Sequence, residues 1–351
     1  MALVVFPLQD PIVPEQPHLT ILQRARHAGR RGAAGQVLEG ERMWRALHRA
    51  DARVYVVRTG TPAVGLAALF CSVRRRAFVF SSAGTNDFTF EDFATTPLRL
   101  KLYRLGVRAA QALVVQTREQ IYLAHEAFPG LRRVDEIPSF FEPPGRGAAD
   151  PEAFVWIARL VPHKRPLEYV ALAQALPEAR FRMIAVEGND TPPALAADLR
   201  AAAARVPNLE LLGPRSHVET GEVLARAVAS VNTAEYEGMP NVFLEAWARG
   251  VPALSLNVDP DGRIAEQGLG VAANGSWERF VAGARDLWYG RRDRSPLSQR
   301  TRTYVQTVHS PDVVGARWQA LVEELARARP RRWPRRPSRA RTAAGASPSR
   351  R

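Results

Sequence analysis

Beyond residue 40 the chain settles into a repeating pattern. Short runs of apolar, often β-branched residues alternate with longer stretches whose apolar positions recur every three or four residues. The first kind reads as buried strand, the second as helix. Glu41–Ala50 suits a helix, Ala52–Val57 (ARVYVV) a strand, Val64–Val73 a buried helix and Ala77–Ser81 (AFVFS) the next strand. Leu98–Ala109 is helical, Ala112–Gln116 (ALVVQ) is a strand, and Thr117 is a fair N-cap for a helix over Arg118–Phe128. Arg133–Ile137 gives one more short strand. The opening forty residues lack this regularity: Pro7, Pro11, Pro14 and Pro17 break any regular element, and Arg24–Gly35 is basic and glycine-containing.

Phe140–Asp150 (FFEPPGRGAAD) is a Pro/Gly-rich break that reads as a linker. A second alternating series follows it. Ala153–Ile157, Phe181–Val186, Leu209–Leu212, Ser230–Thr233 and Val251–Leu256 read as strands. Pro166–Leu176, Pro193–Arg205, Thr220–Ala229 and Val242–Arg249 read as the helices between them. Strands alternating with helices imply parallel βαβ units and an α/β fold. Two doubly wound halves joined by a linker place a ligand cleft between them, facing the carboxyl ends of the strands. Val313–Arg327 is a last amphipathic helix with Val314, Trp318, Leu321, Val322 and Leu325 on one face. Beyond it the Pro/Ala/Ser/Arg tail has no periodicity and reads as disordered.

Composition changes this picture in two ways. With 351 residues, 46% apolar and 24% charged, the chain is long enough for two ordinary domains. Its net charge of +14 is unevenly spread. Residues 327–351 carry ten arginines and no acid. Residues 1–148 hold 20 basic and 13 acidic residues, or +7, and residues 149–326 hold 19 and 22, or −3. Only Lys101 and Lys164 among the 49 basic residues are lysine, so arginine richness alone says little about function. Because the tail supplies most of the excess, the charge argues against a nucleic-acid partner. It suits a basic half resting on an anionic membrane surface, with Arg74-Arg75-Arg76 and Arg99, Lys101, Arg104 and Arg108 as patches. The single Cys71 cannot form an internal disulfide, and no Cys/His cluster has zinc-site spacing. The longest apolar stretch, near Val64–Val73, is too short to span a bilayer, and the N-terminus does not read as a signal peptide. A reduced, cytoplasmic protein is expected.

The most informative segment is Ala234–Leu256, AEYEGMPNVFLEAWARGVPALSL. A strand runs into a loop, the loop opens a helix, and the helix closes at Gly250. Gly238 permits a close backbone approach, and Pro240 suits the first helical turn, where its missing N–H costs nothing. The helix's free N–H groups and positive dipole end are then ready for an anion. Glu237 in the loop suits a sugar's hydroxyls and Glu245 on the helix a ribose; the competing reading is two surface charges. The second segment, Trp156–Arg165 (WIARLVPHKR), brings Arg159 and Lys164 to the carboxyl end of a buried strand. Two cations there can neutralise a diphosphate leaving group, against the alternative of a solvated basic loop. Lysine stands at 164 where arginine is the compositional default, which favours the first reading.

Together ARLVPHKRP and NTAEYEGMPNVFLEAWARGVPALSLNVDPDG resemble the donor half of retaining glycosyltransferases of family 4, the glycosyl transferases group 1. That family has the GT-B fold, two Rossmann-like domains facing a cleft. The family's E-x7-E motif falls on Glu237 and Glu245 with seven residues between, and Gly238, Pro240, Ala246, Ala248, Gly250 and Pro252 are all in place. The resemblance is strong over Phe154–Gly270 and weaker over Met43–Pro138. It implies an acceptor-side domain over residues 1–148 and a donor domain over 149–310. A helix over 311–328 would pack back across the domains, ahead of a disordered tail over 329–351. It implies that Arg159 and Lys164 hold the donor's diphosphate and Glu237 contacts the donor sugar. Gly238, Met239, Pro240, Asn241 and Val242 lie beside sugar and phosphate, Glu245 binds the ribose, and Arg215 flanks the nucleobase. Asn86 and Asp87 follow the AFVFSSAGT strand toward the expected cleft, against the alternative of an Asx-type turn.

The implied reaction is metal-independent transfer from a UDP- or GDP-sugar to an envelope or exopolysaccharide acceptor, glycan or lipid-linked. No cofactor is implied. The alternatives are an epimerase-like nucleotide-sugar enzyme and a truncated, non-catalytic binding protein. The family begins with a strand and a Gly-Gly loop that residues 1–50 lack, which implies a shortened acceptor domain or a start upstream. Asp259-Pro260-Asp261 is formally a D-x-D, but its place before Gly262 reads as a turn. His163 is expected to be exposed, and Trp44, Trp247 and Trp318 to be core.

Overall fold

The computed structural model describes residues 2–5, 20–23, 33–90, 96–131, 133–142 and 150–328. The tail over 329–351, most of the opening segment and residues 143–149 of the expected linker lie outside the described residues. In the opening segment, β1 (Ala2–Val5) and β2 (Thr20–Gln23) pair in parallel as a two-stranded sheet. The pattern reading expected no regular element there. The runs ALVV and TILQ are short β-formers lying outside the proline cluster, and that suffices for strands of four residues. The helix expected from Glu41 begins earlier, as α1 (Ala33–Ala50).

A four-stranded parallel sheet follows, built from β3 (Val54–Arg58), α2 (Ala63–Arg74), β4 (Ala77–Ser81), α3 (Asn86–Thr89), α4 (Pro97–Ala109), β5 (Ala112–Val115), α5 (Arg118–Ala127) and β6 (Val134–Glu136). Its strands lie in chain order, β3-β4-β5-β6. Right-handed crossovers in a single direction put the connecting helices on one face. The alternation of side chains shows it: Phe78 and Phe80 of β4 and Leu113 and Val115 of β5 pack under the helices, with Cys71 buried among them. The intervening Ala77, Val79, Ala112 and Val114 point the other way.

The second sheet comprises β7 (Ala153–Arg159), α6 (Pro166–Ala175), β8 (Phe181–Val186), α7 (Pro193–Ala203), β9 (Leu209–Leu211), α8 (His217–Ala225), β10 (Ala227–Asn232), α9 (Asn241–Ala248), β11 (Ala253–Ser255), α10 (Arg263–Glu266), β12 (Gly270–Ala272), α11 (Trp277–Tyr289) and α12 (Ser295–Val308). Its parallel order, β12-β11-β10-β7-β8-β9, reverses between β7 and β10 and is doubly wound. One face buries Phe154, Trp156, Phe181, Phe280 and Trp288; the other buries Val155, Leu224, Ala246 and Val251. Helix α8 starts at His217 rather than Thr220 because Ser216 and Glu219 form a reciprocal capping box there. The expected close of α9 holds: Gly250 takes φ +80° just past the helix. Trp247 is buried, Trp44 meets Phe70 edge-on at 5.0 Å, and Trp318 packs against the core, as expected.

The last helix, α13 (Pro311–Arg327), leaves the second half and returns to the first. Its Val314, Leu321 and Leu325 cover the otherwise bare face of the four-stranded sheet, at Ala77, Val79, Ala112 and Val114. Each such burial contributes about 1.5–3 kcal/mol. Arg133, just before β6, forks onto Glu324 of α13 and pins the helix at that end. Among the described residues no helix is long and apolar enough to cross a membrane.

Candidate active site between the two halves

The strand-order reversal opens a crevice at the carboxyl ends of β7 and β10, where an open α/β sheet offers its binding site. Two loops meet there. After β7, a 3-10 turn over Pro162–Lys164 carries His163 and Lys164. After β10, residues 233–240 lead into α9. They are joined at several points. Thr233 accepts from Trp156 Nε1 at 2.9 Å and donates to the Lys164 carbonyl at 2.8 Å. The Glu235 N–H donates to the His163 carbonyl at 2.8 Å. The His163 and Tyr236 rings stack at 5.0 Å and 15°. His163 is therefore half-buried as a wall of the loop rather than exposed, because its ring has an aromatic partner.

Lys164 and Glu237 form the centre of this arrangement. The lysine Nζ lies 2.7 Å from Glu237 Oε1, with the two side chains only 16% and 17% exposed. Asn232 Nδ2 donates to the same oxygen at 2.8 Å, while Asn232 Oδ1 accepts the Ala234 N–H at 2.9 Å. Among the described residues no contact falls on Glu237 Oε2. The two residues that the resemblance assigns to diphosphate and sugar thus form one ion pair. An unshielded pair at this distance is worth little, but partial burial strengthens it.

The other expected residues divide around that centre. A cavity of about 610 Å³ lies between the halves, lined by Arg159, His163, Lys164, Glu237, Gly238, Met239 and Asn241 on one side. Arg58, the Thr59–Pro62 loop, Ala83–Asp87, Arg99 and Gln116 line it on the other. An adjoining cavity of about 230 Å³ reaches to the ends of β7 and β10 and is lined by Trp156–Arg159, Asn232, Pro240 and Val242. Glu245 lines neither of them. It borders a third recess of about 300 Å³, which shares Asn241 with both and Arg58 with the first. Arg159 is exposed and paired with Asp190. Arg215 is exposed before the α8 cap, its guanidinium donating to the Pro214 carbonyl at 3.3 Å, and lines none of these three cavities.

Asn86 lines the first two cavities, but Asp87 is buried and its carboxylate is consumed. It accepts from Gly60 N–H at 2.7 Å, Ala83 N–H at 2.8 Å and Ser82 Oγ at 2.9 Å, tying two loops of the cavity wall together. The acid is a positioning residue. The Asp-Pro-Asp segment is the expected turn, with a second use. Asp259 accepts from Ile264 N–H at 2.7 Å and Ala265 N–H at 3.2 Å. Asp261 reaches across the cleft to the Arg118 and Glu119 N–H groups, at 2.9 and 3.2 Å. Among the described residues no group of three or more His, Cys, Asp or Glu is placed to hold a metal ion.

Sequence reasoning missed Asn232, Thr233, Arg58 and Thr85 and gave Arg99 only to a membrane-facing patch. The first two immediately precede the glutamate motif and were within reach of it. Thr85 directly precedes Asn86, whereas Arg58 and Arg99 lie far away in sequence and carry no local signal.

Comparison with known proteins bears out the resemblance. Residues 151–289 match the family described as Glycosyl transferases group 1. No curated protein matches the chain. Solved structures show the fold to be GT-B. A mutant of TarM from S. aureus, in complex with Fondaparinux, alpha-GlcNAc-glycerol and UDP, is 13% identical, with a TM-score of 0.66. The match covers 82% of this chain and 59% of TarM, so the chain spans about three fifths of that protein's length. Sucrose-phosphate synthase from Thermosynechococcus elongatus is 12% identical over 92% of this chain and 88% of its own, with a TM-score of 0.71. Anabaena HepE in complex with UDP and glucose is 12% identical over 87% and 86%, with a TM-score of 0.70.

Proposed function

We propose that this chain is a retaining glycosyltransferase of family 4. It moves a hexose, without a metal ion, from a UDP- or GDP-sugar to a cell-envelope or exopolysaccharide acceptor. The observation that carries this reading is the Lys164–Glu237–Asn232 cluster at the switch point ahead of α9, with Lys164 and Glu237 lining both cavities and Asn232 the second. The group 1 match over the same residues supports it, and the UDP in the TarM and HepE complexes supports a nucleotide donor.

The donor's diphosphate lies against the first turn of α9, whose leading N–H groups have no partner within the helix. Lys164 and Arg159 supply positive charge beside it. As the bond from the sugar's anomeric carbon to phosphate lengthens, charge grows on the leaving oxygen and draws the Lys164 ammonium from Glu237. The interaction therefore strengthens in the transition state, the requirement for raising the rate. Glu237 Oε2 is left for the donor sugar's hydroxyls. The acceptor oxygen bonds the anomeric carbon on the face the diphosphate leaves, its proton passes to the leaving phosphate, and configuration is retained. The enzyme works at the cytoplasmic face of a membrane. Helix α4 suits that place, with Leu98 and Leu102 exposed at 66% and 41% beside Lys101 and Arg108.

Turnover against a panel of UDP- and GDP-sugars tests the site. Lys164→Ala and Glu237→Ala are each expected to lower it by about a hundredfold or more. Full turnover in either variant removes the assignment, and loss of wild-type turnover on adding EDTA removes the metal-free part. A donor returned epimerised when acceptor is withheld favours the epimerase reading instead.

A further inference from the structure

The wall of the main cavity formed by the first half carries positive charge that the proposed donor does not use. Four cations line this cavity: Arg159 and Lys164 from the second half, Arg58 and Arg99 from the first. Arg159 is paired with Asp190 and Lys164 with Glu237. Arg58 and Arg99 form no ion pair among the described residues. Of the two acids lining the cavity, Glu237 is engaged by Lys164 and Asn232, and Asp87 is hydrogen-bonded by Gly60, Ala83 and Ser82 while its charge favours the charged form of Arg58 without an ion-pair contact. Beside the arginines the wall carries Thr85, whose Oγ1 is buried without a hydrogen-bond partner.

The wall is also held rigid. Thr59, which follows Arg58 directly, is β-branched yet sits at φ +77°. Such a conformation costs on the order of 1–3 kcal/mol and persists only where its surroundings fix it. Here the Thr59 N–H donates to the Ser81 carbonyl at 3.0 Å, and Asp87 holds the Gly60 N–H.

From the cavity and its two arginines, which make no ion pair among the described residues, we infer that Arg58 and Arg99 form an acceptor subsite for a phosphate or phosphodiester group. This inference rests on the proposed transferase reading, and it names the acceptor's class: a hydroxyl-bearing molecule carrying phosphate. Planar guanidinium groups match phosphate oxygens two at a time, whereas a neutral sugar needs no pair of fixed charges. The phosphate belongs to the acceptor because the donor's own phosphates have their cations on the opposite wall.

Calorimetric titration of the full chain saturated with UDP, using glycerol 3-phosphate and glycerol as probes, tests this. UDP occupies the donor site and removes it as a phosphate binder. Glycerol 3-phosphate is expected to bind at least about tenfold more tightly than glycerol, and the Arg58→Gln/Arg99→Gln double variant to lose that preference while binding UDP unchanged. Equal binding of the two probes, or a preference kept by the double variant, overturns the subsite and leaves the transferase reading standing. If UDP fails to bind, the donor reading falls on its own. The titration is then read on the free protein: loss in the double variant supports the subsite, and loss in Arg159→Gln alone overturns it. Flotation with phosphatidylcholine vesicles, with and without phosphatidic acid, separates the sources. Capture by phosphatidic acid that the double variant loses assigns the phosphate to a lipid headgroup. Capture unchanged in a variant that has lost glycerol 3-phosphate assigns it to a soluble or glycan phosphate.

Discussion

Gly238 stands where the second half meets α5 of the first. A Cβ built on it meets Gln120 Nε2 of α5 at 2.7 Å. Gln120 is fully buried, and its other amide atom is anchored, accepting the Gln116 N–H at 2.8 Å. Its Nε2 has no partner, so the side chain cannot swing away without exchanging one unmet bond for two. Gly238→Ala is therefore expected to slow transfer about tenfold by displacing Gln120, and adding Gln120→Ala to restore most of the rate. Additive losses in the double variant rule out the contact as the cause. The sequence marked Gly238 as a place where the backbone could approach a ligand closely; the close neighbour in the structure is a side chain over a hundred positions away. The same limit hid the Lys164–Glu237 pair: the lysine's rarity and the glutamate's motif singled out both residues, and only the crossing of β7 beside β10 brings them together.

At the scale of elements, α5 is capped from both halves. Thr117 takes the Gln120 N–H of its own helix, and Asp261 takes the two N–H groups before it. Losing such a cap costs about 1 kcal/mol. Asp261→Ala is expected to speed hydrogen exchange at the Arg118 and Glu119 amides by about tenfold and leave β7 and β10 unchanged. Unaltered exchange at those amides refutes the clasp. The aspartates read correctly as a turn because a turn is local; their partners across the cleft are not. Helices show the same division. Most strands of both halves were legible because their apolar runs are continuous. Helix α12 was not, since it buries Ser298 and Thr301 against the Gly250 region, with Ser298 Oγ donating to the Gly250 carbonyl at 2.7 Å. Its buried apolar residues, Tyr304 and Val305, are confined to the last turns, so the helix as a whole shows no continuous apolar stripe to read.

Across the whole molecule, the described residues pass between the halves in two places: after β6, at residues 138–142, and again at His309, between α12 and α13. His309 joins the two crossings. Its buried Nδ1–H donates to the Ser139 carbonyl at 2.7 Å, and its own carbonyl accepts the Phe141 N–H at 2.9 Å. Burial pushes the imidazole below its ordinary pKa against the opposing pull of the Ser139 carbonyl, with Arg263 and Arg317 adding smaller effects in the same direction as burial. Tyr304, whose hydroxyl lies 3.4 Å from Nε2, is pushed up to about 12 and stays neutral. The folded protein thus binds this proton less readily than the unfolded chain. The stability from a neutral His309 is whole above about pH 6.5 and drains away as pH falls through the depressed folded value, by at most about 1.4 kcal/mol per unit. Melting temperature is expected to drop more between about pH 7.5 and 5.5 in the wild type than in His309→Asn. Parallel curves contradict the assignment.

That cross-tie also decides how the cleft can widen. A domain hung on a single tether can swing and twist in any direction. Here the second half hangs on two strands lashed together at Ser139, Phe141 and His309. Any opening must bend both at the same level. The two crossings therefore act as one joint, and the spacing of Arg58 and Arg99 from Lys164 depends on the His309 bonds to Ser139 and Phe141.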